Sequence, residues 1–142
     1  MTGYAELAVT TNFSFLRGAS HPAELVARAK ELNLSAIGIA DRNTLAGVVR
    51  AHLAAKEAGI QLLVGARLVL TCGLELIAYP TDRIAYGRLS SLLSEGKFRA
   101  TKGECEISLE DVDQHSEGQV FIVCPPENPD TQFERRLSQL GK

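Results

Sequence analysis

Short apolar runs recur through the first half of the chain at intervals that suit β-strands. They occupy residues 6–10, 36–40 and 61–70. The stretches between them place apolar residues three or four positions apart, which is the spacing of an amphipathic helix. This alternation predicts the order β-α-β-α-β, which is typical of a parallel sheet with right-handed crossovers and places the chain in the α/β class.

The two intervening helices have recognisable start signals. The first helix is predicted to have Ser20 as its N-cap and Pro22 in its first turn, and to end near Asn33. The second is predicted to begin at a Thr44 cap and to end before Gly59. Its predicted apolar stripe consists of Leu45, Val48, Val49 and Leu53. Both helices are therefore expected to pack one face against the sheet.

The pattern changes after residue 70. Thr71-Cys72-Gly73 predicts a tight turn into a strand at 74–79, and so one β-hairpin. The remaining predicted elements are a helix from Pro80 to Leu93, a polar loop at 95–106, a short helix capped by Ser108 with Asp111, a strand at 120–124 and a last helix at 131–140. We expect residues 1–142 to belong to a single domain.

Composition narrows the function classes. Charged residues make up 23% of the 142 residues and the net charge is −2, so no global basic field attracts nucleic acid. The three cysteines are dispersed without metal-binding spacing, which favours a reducing compartment. The chain lacks a signal pattern and an apolar run of membrane length, so we expect a cytoplasmic protein without a membrane contact.

One stretch places a charged pair where ligands usually bind in α/β folds. The predicted second strand ends at Ala40 and is followed at once by Asp41 and Arg42. Ligands collect at the carboxyl ends of parallel strands, so Asp41 is a candidate site residue. The aromatic residues Phe13 and Phe15 are expected to pack in the core over this end rather than to stack on bases.

Several segments carry a specific likeness to a known family. Residues 4–22, YAELAVTTNFSFLRGASHP, resemble the opening of the PHP (polymerase and histidinol phosphatase) domain of bacterial C-family DNA polymerases, and most closely their error-prone branch. Residues 39–48 resemble the second PHP motif, and residues 87–89 and 96–103 are also similar to that branch. The resemblance implies a distorted seven-stranded (β/α) barrel with a metal centre at its strand ends. The chain is then a truncated amino-terminal portion of one PHP domain, without the polymerase core.

The resemblance also implies where metal ligands would stand. Its His-x-His motif falls on Ala8 and Thr10, its Asp-His motif on Asp41 and Arg42, and its acidic position after the third strand on Arg67. Alanine offers no ligand atom, threonine is a poor ligand compared with imidazole, and a guanidinium repels a cation. We therefore expect a degenerate site with no bound metal and no catalytic residue in this chain.

The charged residues of this degenerate site allow two interpretations. Asp41 can form a charge-assisted pair with Arg67 or Arg42, which would make the site structural. Alternatively, Arg17, Arg42 and Arg67 can form an anion pocket for a phosphate or a nucleic-acid backbone. A sulfate or phosphate bound near Arg42 would favour the second interpretation.

The resemblance implies a function for the full-length parent. That parent would be an error-prone DNA polymerase III alpha subunit, a nucleotidyltransferase for translesion synthesis in DNA repair and replication, with magnesium as its cofactor. The chain itself would be a scaffold or interaction domain with no cofactor. The alternatives are a metal-dependent phosphoesterase or 3′–5′ exonuclease, and an anion- or nucleic-acid-binding module. Expected partners are the polymerase core of the same chain, translesion accessory proteins, DNA through the parent, and a second copy that pairs exposed strand edges.

Overall fold

The computed structural model describes residues 3–140, and its elements follow the predicted α/β order. The strands are β1 (Ala5–Val9), β2 (Ala36–Arg42), β3 (Gln61–Val69), β4 (Glu75–Pro80) and β5 (Gln119–Cys124). The helices are α1 (Pro22–Glu31), α2 (Val48–Ala58), α3 (Arg83–Arg99), α4 (Leu109–Gln114) and α5 (Thr131–Leu140). The strands are ordered β1-β2-β3-β4-β5 in the sheet. Within residues 3–140 no helix is long and apolar enough to cross a membrane. The described chain comprises two compact units, residues 3–67 and 68–140.

The first unit contains the parallel part of the sheet. Strand β2 pairs with β3 in unbroken register from Ala36 opposite Gln61 to Arg42 opposite Arg67. Strand β1 also pairs with β2 in parallel, with an irregularity between Glu6 and Val9. Six of the seven residues of β2 are buried, as expected for a central strand covered on both faces. The prediction that β2 ends at residue 40 is wrong by two positions, because pairing with β3 continues through its last two residues.

The core of this unit lies between α1, α2 and β2. Its buried members are Val26, Ala29, Ile37, Ile39, Ala51 and Ala55. The predicted stripe on α2 is wrong at three positions, since Leu45 precedes the helix and Val49 and Leu53 are 68% and 62% exposed. Helix α2 instead contributes alanines to the core, and small side chains allow neighbouring elements to approach closely.

The predicted helix caps also need correction. Helix α1 has His21 rather than Ser20 at its N-cap, and the His21 N–H donates to Glu24 Oε2 at 2.8 Å. Helix α2 begins after Gly47, not after Thr44. The hydroxyl of Thr44 accepts a hydrogen bond from the Ala46 N–H, so it stabilises the turn before the helix.

The second unit begins with the predicted turn. The Leu70 N–H donates to the Leu74 carbonyl at 2.9 Å, the Gly73 N–H donates to the Leu70 carbonyl at 2.8 Å, and Gly73 has a φ of +85°. Glycine adopts this left-handed conformation without steric cost. Strand β4 then pairs antiparallel with β5, from Glu75 opposite Cys124 to Pro80 opposite Gln119. The turn of the predicted hairpin is confirmed.

Helix α3 is longer than the sequence predicts. It starts after Asp82, whose side chain accepts from the Ala85 N–H, and it continues to Arg99 through the first five residues of the predicted loop. The helix continues past Gly96 because this glycine allows close packing and does not break the helix. A Cβ atom at this position would lie 2.8 Å from Ile107 and 2.9 Å from Cys105, so only glycine allows the segment around residue 106 to pack here. The capping box of Ser108 with Asp111 at the start of α4 is confirmed.

Candidate functional site

The carboxylate of Asp41 lies at the end of β2 and is 1% exposed. Its Oδ1 accepts hydrogen bonds from the Thr11 N–H at 2.8 Å and from the Ser14 hydroxyl at 2.6 Å. Its Oδ2 accepts the Thr11 hydroxyl at 2.7 Å. Three short hydrogen bonds to one carboxylate compensate for the loss of water around a buried charge. The prediction that Asp41 pairs with Arg67 or Arg42 is therefore wrong, since neutral donors occupy both of its oxygen atoms.

The donors come from a compact loop that follows β1, which we call the Asp41-anchored loop (residues 11–18). The Ser14 N–H donates to the Thr11 carbonyl at 3.0 Å, and the N–H groups of Arg17 and Gly18 donate to the Ser14 carbonyl at 2.9 and 3.0 Å. Gly18 closes the loop, because a Cβ atom there would lie 2.2 Å from the Thr11 carbonyl oxygen. The loop is thus fixed both by its own backbone and by the carboxylate beneath it.

The apex of the loop exposes two large apolar side chains. Phe15 is 85% exposed and Leu16 is 88% exposed, and Leu16 has a φ of +59°, which is rare for a branched side chain. Core packing was predicted for both aromatic residues of this loop, and for Phe15 that prediction is wrong. The inward position is taken by Ser14, which is 2% exposed and points at the carboxylate. Phe13 is half-buried, and the Arg50 guanidinium lies 5.6 Å from its ring centroid.

The structure brings two of the predicted arginines together. Arg42 and Arg67 are register partners on the parallel strands β2 and β3, and both are half-buried. Register partners project from the same face of a sheet, so the two side chains leave the strand ends next to each other. The Arg42 N–H also donates to the Ser14 hydroxyl at 2.9 Å, which joins this strand end to the loop. Arg17, the third member of the predicted anion pocket, is exposed in the second half of the loop.

The donor set at these strand ends does not fit a divalent metal. Ala8 is exposed on β1, and Thr10 directly follows that strand. Among residues 3–140 no group of three or more His, Cys, Asp or Glu side chains is placed to hold a metal ion. The one carboxylate at the motif positions already accepts three hydrogen bonds, and guanidinium groups do not ligate metals.

Sequence reasoning missed Thr11 and Ser14, although they are the direct partners of Asp41. A signal for them exists in the sequence. Both are small hydroxyl residues that follow the first strand, and the carboxyl end of a parallel strand lies beside the carboxyl end of its neighbour. Hydroxyl groups in that position can reach a carboxylate that ends the next strand.

A half-buried carboxylate in the other unit, that of Asp111, has a different environment. The Arg99 guanidinium donates to both oxygens of Asp111, at 2.6 and 3.1 Å, and the Ser108 N–H donates to the same carboxylate at 2.8 Å. The hydrogen bond from Arg99 is the main reason that the pKa of Asp111 lies well below its usual range. This pair joins the carboxyl end of α3 to the start of α4.

The chain is similar in sequence to a known domain family and to parts of longer known proteins. The model of the PHP domain family matches residues 6–131. The chain is 54% identical over 139 residues to an error-prone DNA polymerase of Caulobacter vibrioides and 49% identical over 148 residues to one of Brucella abortus. It covers 97% and 100% of its own length in these matches, but only 13% and 14% of the two polymerases.

Solved structures agree on the fold. A protein of Bifidobacterium adolescentis described as a metal-dependent phosphoesterase is 25% identical, with a TM-score of 0.57 over 82% of this chain and 44% of that protein. An amidohydrolase of Chromobacterium violaceum is 17% identical, with a TM-score of 0.75 over 96% of this chain and 73% of the amidohydrolase. The α/β architecture expected from the sequence is therefore confirmed.

Proposed function

The chain belongs to the PHP domain family, and from this membership we propose that it is a metal-free structural domain at the amino terminus of an error-prone DNA polymerase. Identities of 54% and 49% to two such polymerases support the parent. The parent would carry out DNA-directed DNA synthesis past lesions, with magnesium held by parts of the polymerase outside these 142 residues. In this proposal the chain itself has no cofactor and performs no chemistry.

The observation that best supports the proposal is the hydrogen bonding of the Asp41 carboxylate. At a metal centre this carboxylate would give its oxygen lone pairs to cations. Here both oxygens accept hydrogen bonds from Thr11 and Ser14, at distances of 2.6 to 2.8 Å. The residue thus fixes the Asp41-anchored loop against the end of β2, which is a structural task.

The competing function is metal-dependent phosphoester hydrolysis. The similarity to a protein described as a metal-dependent phosphoesterase favours it. Such chemistry needs a metal to activate water and to polarise the phosphoryl oxygen. Ala8, Thr10, Arg42 and Arg67 stand at the positions where the family motifs would supply ligands, and none of them is a ligand of the required type. The structural role therefore explains more of the residues at the strand ends.

Metal content tests the proposal directly. The chain is purified with and without added zinc and manganese, and its metal is measured by plasma mass spectrometry beside the variant Ala8→His/Thr10→His/Arg42→His. We expect substoichiometric metal in the wild-type chain and no manganese-dependent hydrolysis of p-nitrophenyl phosphate. The triple variant, which restores three imidazoles, provides the comparison with higher metal content. Stoichiometric zinc or manganese in the wild-type chain would refute the proposal.

The proposal also defines partners. The polymerase core of the same chain is the first, since the relatives are much longer polymerases of which this chain covers 13% and 14%. Translesion accessory proteins and a second copy of the chain are further proposed partners. For self-association the support is β5, the last strand in the sheet order, where Val120 is 52% exposed. Light scattering of the 142-residue chain should show a dimer at high concentration, and a strict monomer would argue against it.

A further inference from the structure

The apex of the Asp41-anchored loop is organised, yet it buries neither of its large side chains. Phe15 and Leu16 are 85% and 88% exposed, while the residue before them is 2% exposed and held by the carboxylate. Leu16 also occupies the left-handed region with a φ of +59°. A fixed loop that presents an aromatic ring to solvent, at the cost of an unfavourable backbone conformation, is typical of a recognition surface.

Two arginine side chains belong to the Asp41-anchored loop or contact it. Arg17 belongs to the loop itself, and Arg50 of α2 lies against Phe13 at 5.6 Å from its ring centroid. Arg42 of β2 donates its N–H to Ser14, and Arg67 of β3 is its register partner. The carboxylate at the same strand end, Asp41, is 1% exposed and accepts three hydrogen bonds. Arg17 and Arg50 therefore give this loop positively charged side chains in a chain whose net charge is −2.

We propose that this apex binds single-stranded DNA, with a base stacked on Phe15 and with Arg17 and Arg50 next to the flanking phosphates. Every base has a π-face, so a single exposed aromatic ring binds bases without sequence preference. Guanidinium groups suit phosphate oxygens because of their planar array of donors. A purely apolar protein partner fits less well, since it would have to desolvate the guanidinium groups of Arg17 and Arg50 at this loop. The inference rests on the proposed function, since single-stranded template is present wherever a DNA polymerase works.

Fluorescence anisotropy of labelled dT20 titrated with the 142-residue chain tests this inference. The variants are Phe15→Ala and Arg17→Ala, and both change exposed side chains, so the fold should be preserved. The matched controls are Phe98→Ala and Arg83→Ala, which remove an exposed aromatic ring and an exposed guanidinium from α3. Each titration is run in EDTA and again in manganese, at several salt concentrations, and circular dichroism verifies the fold of each variant.

We expect dT20 to bind in EDTA and Phe15→Ala to weaken the affinity about tenfold, the usual effect of losing one stacked base. Arg17→Ala should lower the slope of log affinity against log salt by about 0.7, because one phosphate contact is lost. The controls should leave both quantities unchanged. The inference is overturned if dT20 does not bind in EDTA, or if Phe15→Ala and its control weaken binding equally.

The two conditions separate this inference from the proposed function. Binding that requires manganese would overturn the inference, and it would overturn the proposed function as well if plasma mass spectrometry found stoichiometric manganese in the chain. No binding in either condition would overturn the DNA contact and leave the metal-free structural role intact. A self-association that Phe15→Ala disrupts, without any DNA binding, would reassign the apex to a protein contact and overturn the inference.

Discussion

Two aspartates, one in each unit, hold neighbouring segments together by different means. Asp41 in the first unit is 1% exposed and accepts hydrogen bonds from a backbone N–H and two hydroxyl groups. Asp111 in the second unit has a 14% exposed side chain and a bidentate contact with Arg99, which is 48% exposed. The first aspartate is a buried charge with neutral donors, and the second is a partly solvated ion pair at a helix start.

The difference shows how a buried charged group can be stabilised without an ion-pair partner. Neutral donors are sufficient to stabilise a buried carboxylate when their hydrogen bonds are short and numerous and the donors are fixed in place, as Thr11 and Ser14 are. Removing the carboxylate would then leave several buried donors without an acceptor, whereas water can replace much of the contact at Asp111. Stability should therefore depend far more on the first aspartate than on the second.

The largest expected effect follows from Asp41→Ala. The substitution leaves the Thr11 N–H and the hydroxyls of Thr11 and Ser14 buried without their acceptor, at about 1 kcal/mol or more for each. We expect the free energy of unfolding to fall by about 3 kcal/mol or more, and by about 1–2 kcal/mol for Asp41→Asn, which retains one acceptor oxygen. Urea unfolding followed by circular dichroism measures both values.

The control for this prediction is Asp113→Ala, which removes an exposed carboxylate from α4. It should change the free energy of unfolding by no more than about 0.5 kcal/mol. If Asp41→Ala unfolds with nearly the same urea midpoint as this control, the loop does not depend on its carboxylate, and the contrast between the two aspartates disappears.

The next effect concerns the closure of the Asp41-anchored loop. In Gly18→Ala the new Cβ atom would lie 2.2 Å from the Thr11 carbonyl oxygen, so the backbone has to move. We expect a loss of about 2–3 kcal/mol in the free energy of unfolding. Gly87→Ala on α3 meets no atom within 4 Å and should instead stabilise the chain by about 0.5–1 kcal/mol. Equal thermal midpoints for the two variants would contradict the closure of the loop.

The smallest effect is that of Asp111→Asn. Because the pair with Arg99 is partly solvated, we expect a loss of about 1 kcal/mol at pH 7. The folded state lowers the pKa of Asp111, so its contribution is fully present above the unfolded pKa of about 4 and is lost as pH falls below that value. Urea midpoints at pH 7, 4 and 3 should show the wild-type advantage over Asp111→Asn shrinking towards pH 3. An advantage that grows with acidity would refute the assignment.

Much of the fold was predictable because the hydrophobic periods of strands and helices are local properties. The β-α-β-α-β order, the turn at Gly73 and the Ser108 capping box all follow from a few consecutive residues. The end of α3 was not predictable, because Gly96 resembles a helix breaker until the packing of Cys105 and Ile107 against it is known. The exposed face of α2 was missed because an apolar stripe does not reveal whether another element covers it.

The candidate site was predictable in position but not in its bonding. The motif positions identified Asp41, Arg42 and Arg67 as neighbours, and the register of β2 and β3 places the two arginines side by side. The partners of the carboxylate lie 30 and 27 residues away in sequence, so no local spacing identifies them. Charge complementarity favoured an arginine, but the geometry of the loop delivers hydroxyl groups instead.

The register of Arg42 opposite Arg67 has an evolutionary consequence. A descendant that acquired one imidazole at position 8 or 10 would still present two guanidinium groups at the same strand ends, together with a carboxylate that accepts three hydrogen bonds. A single imidazole would then stand beside guanidinium groups, which do not ligate metals. Metal binding at these strand ends would therefore require several substitutions at once, as in the variant Ala8→His/Thr10→His/Arg42→His.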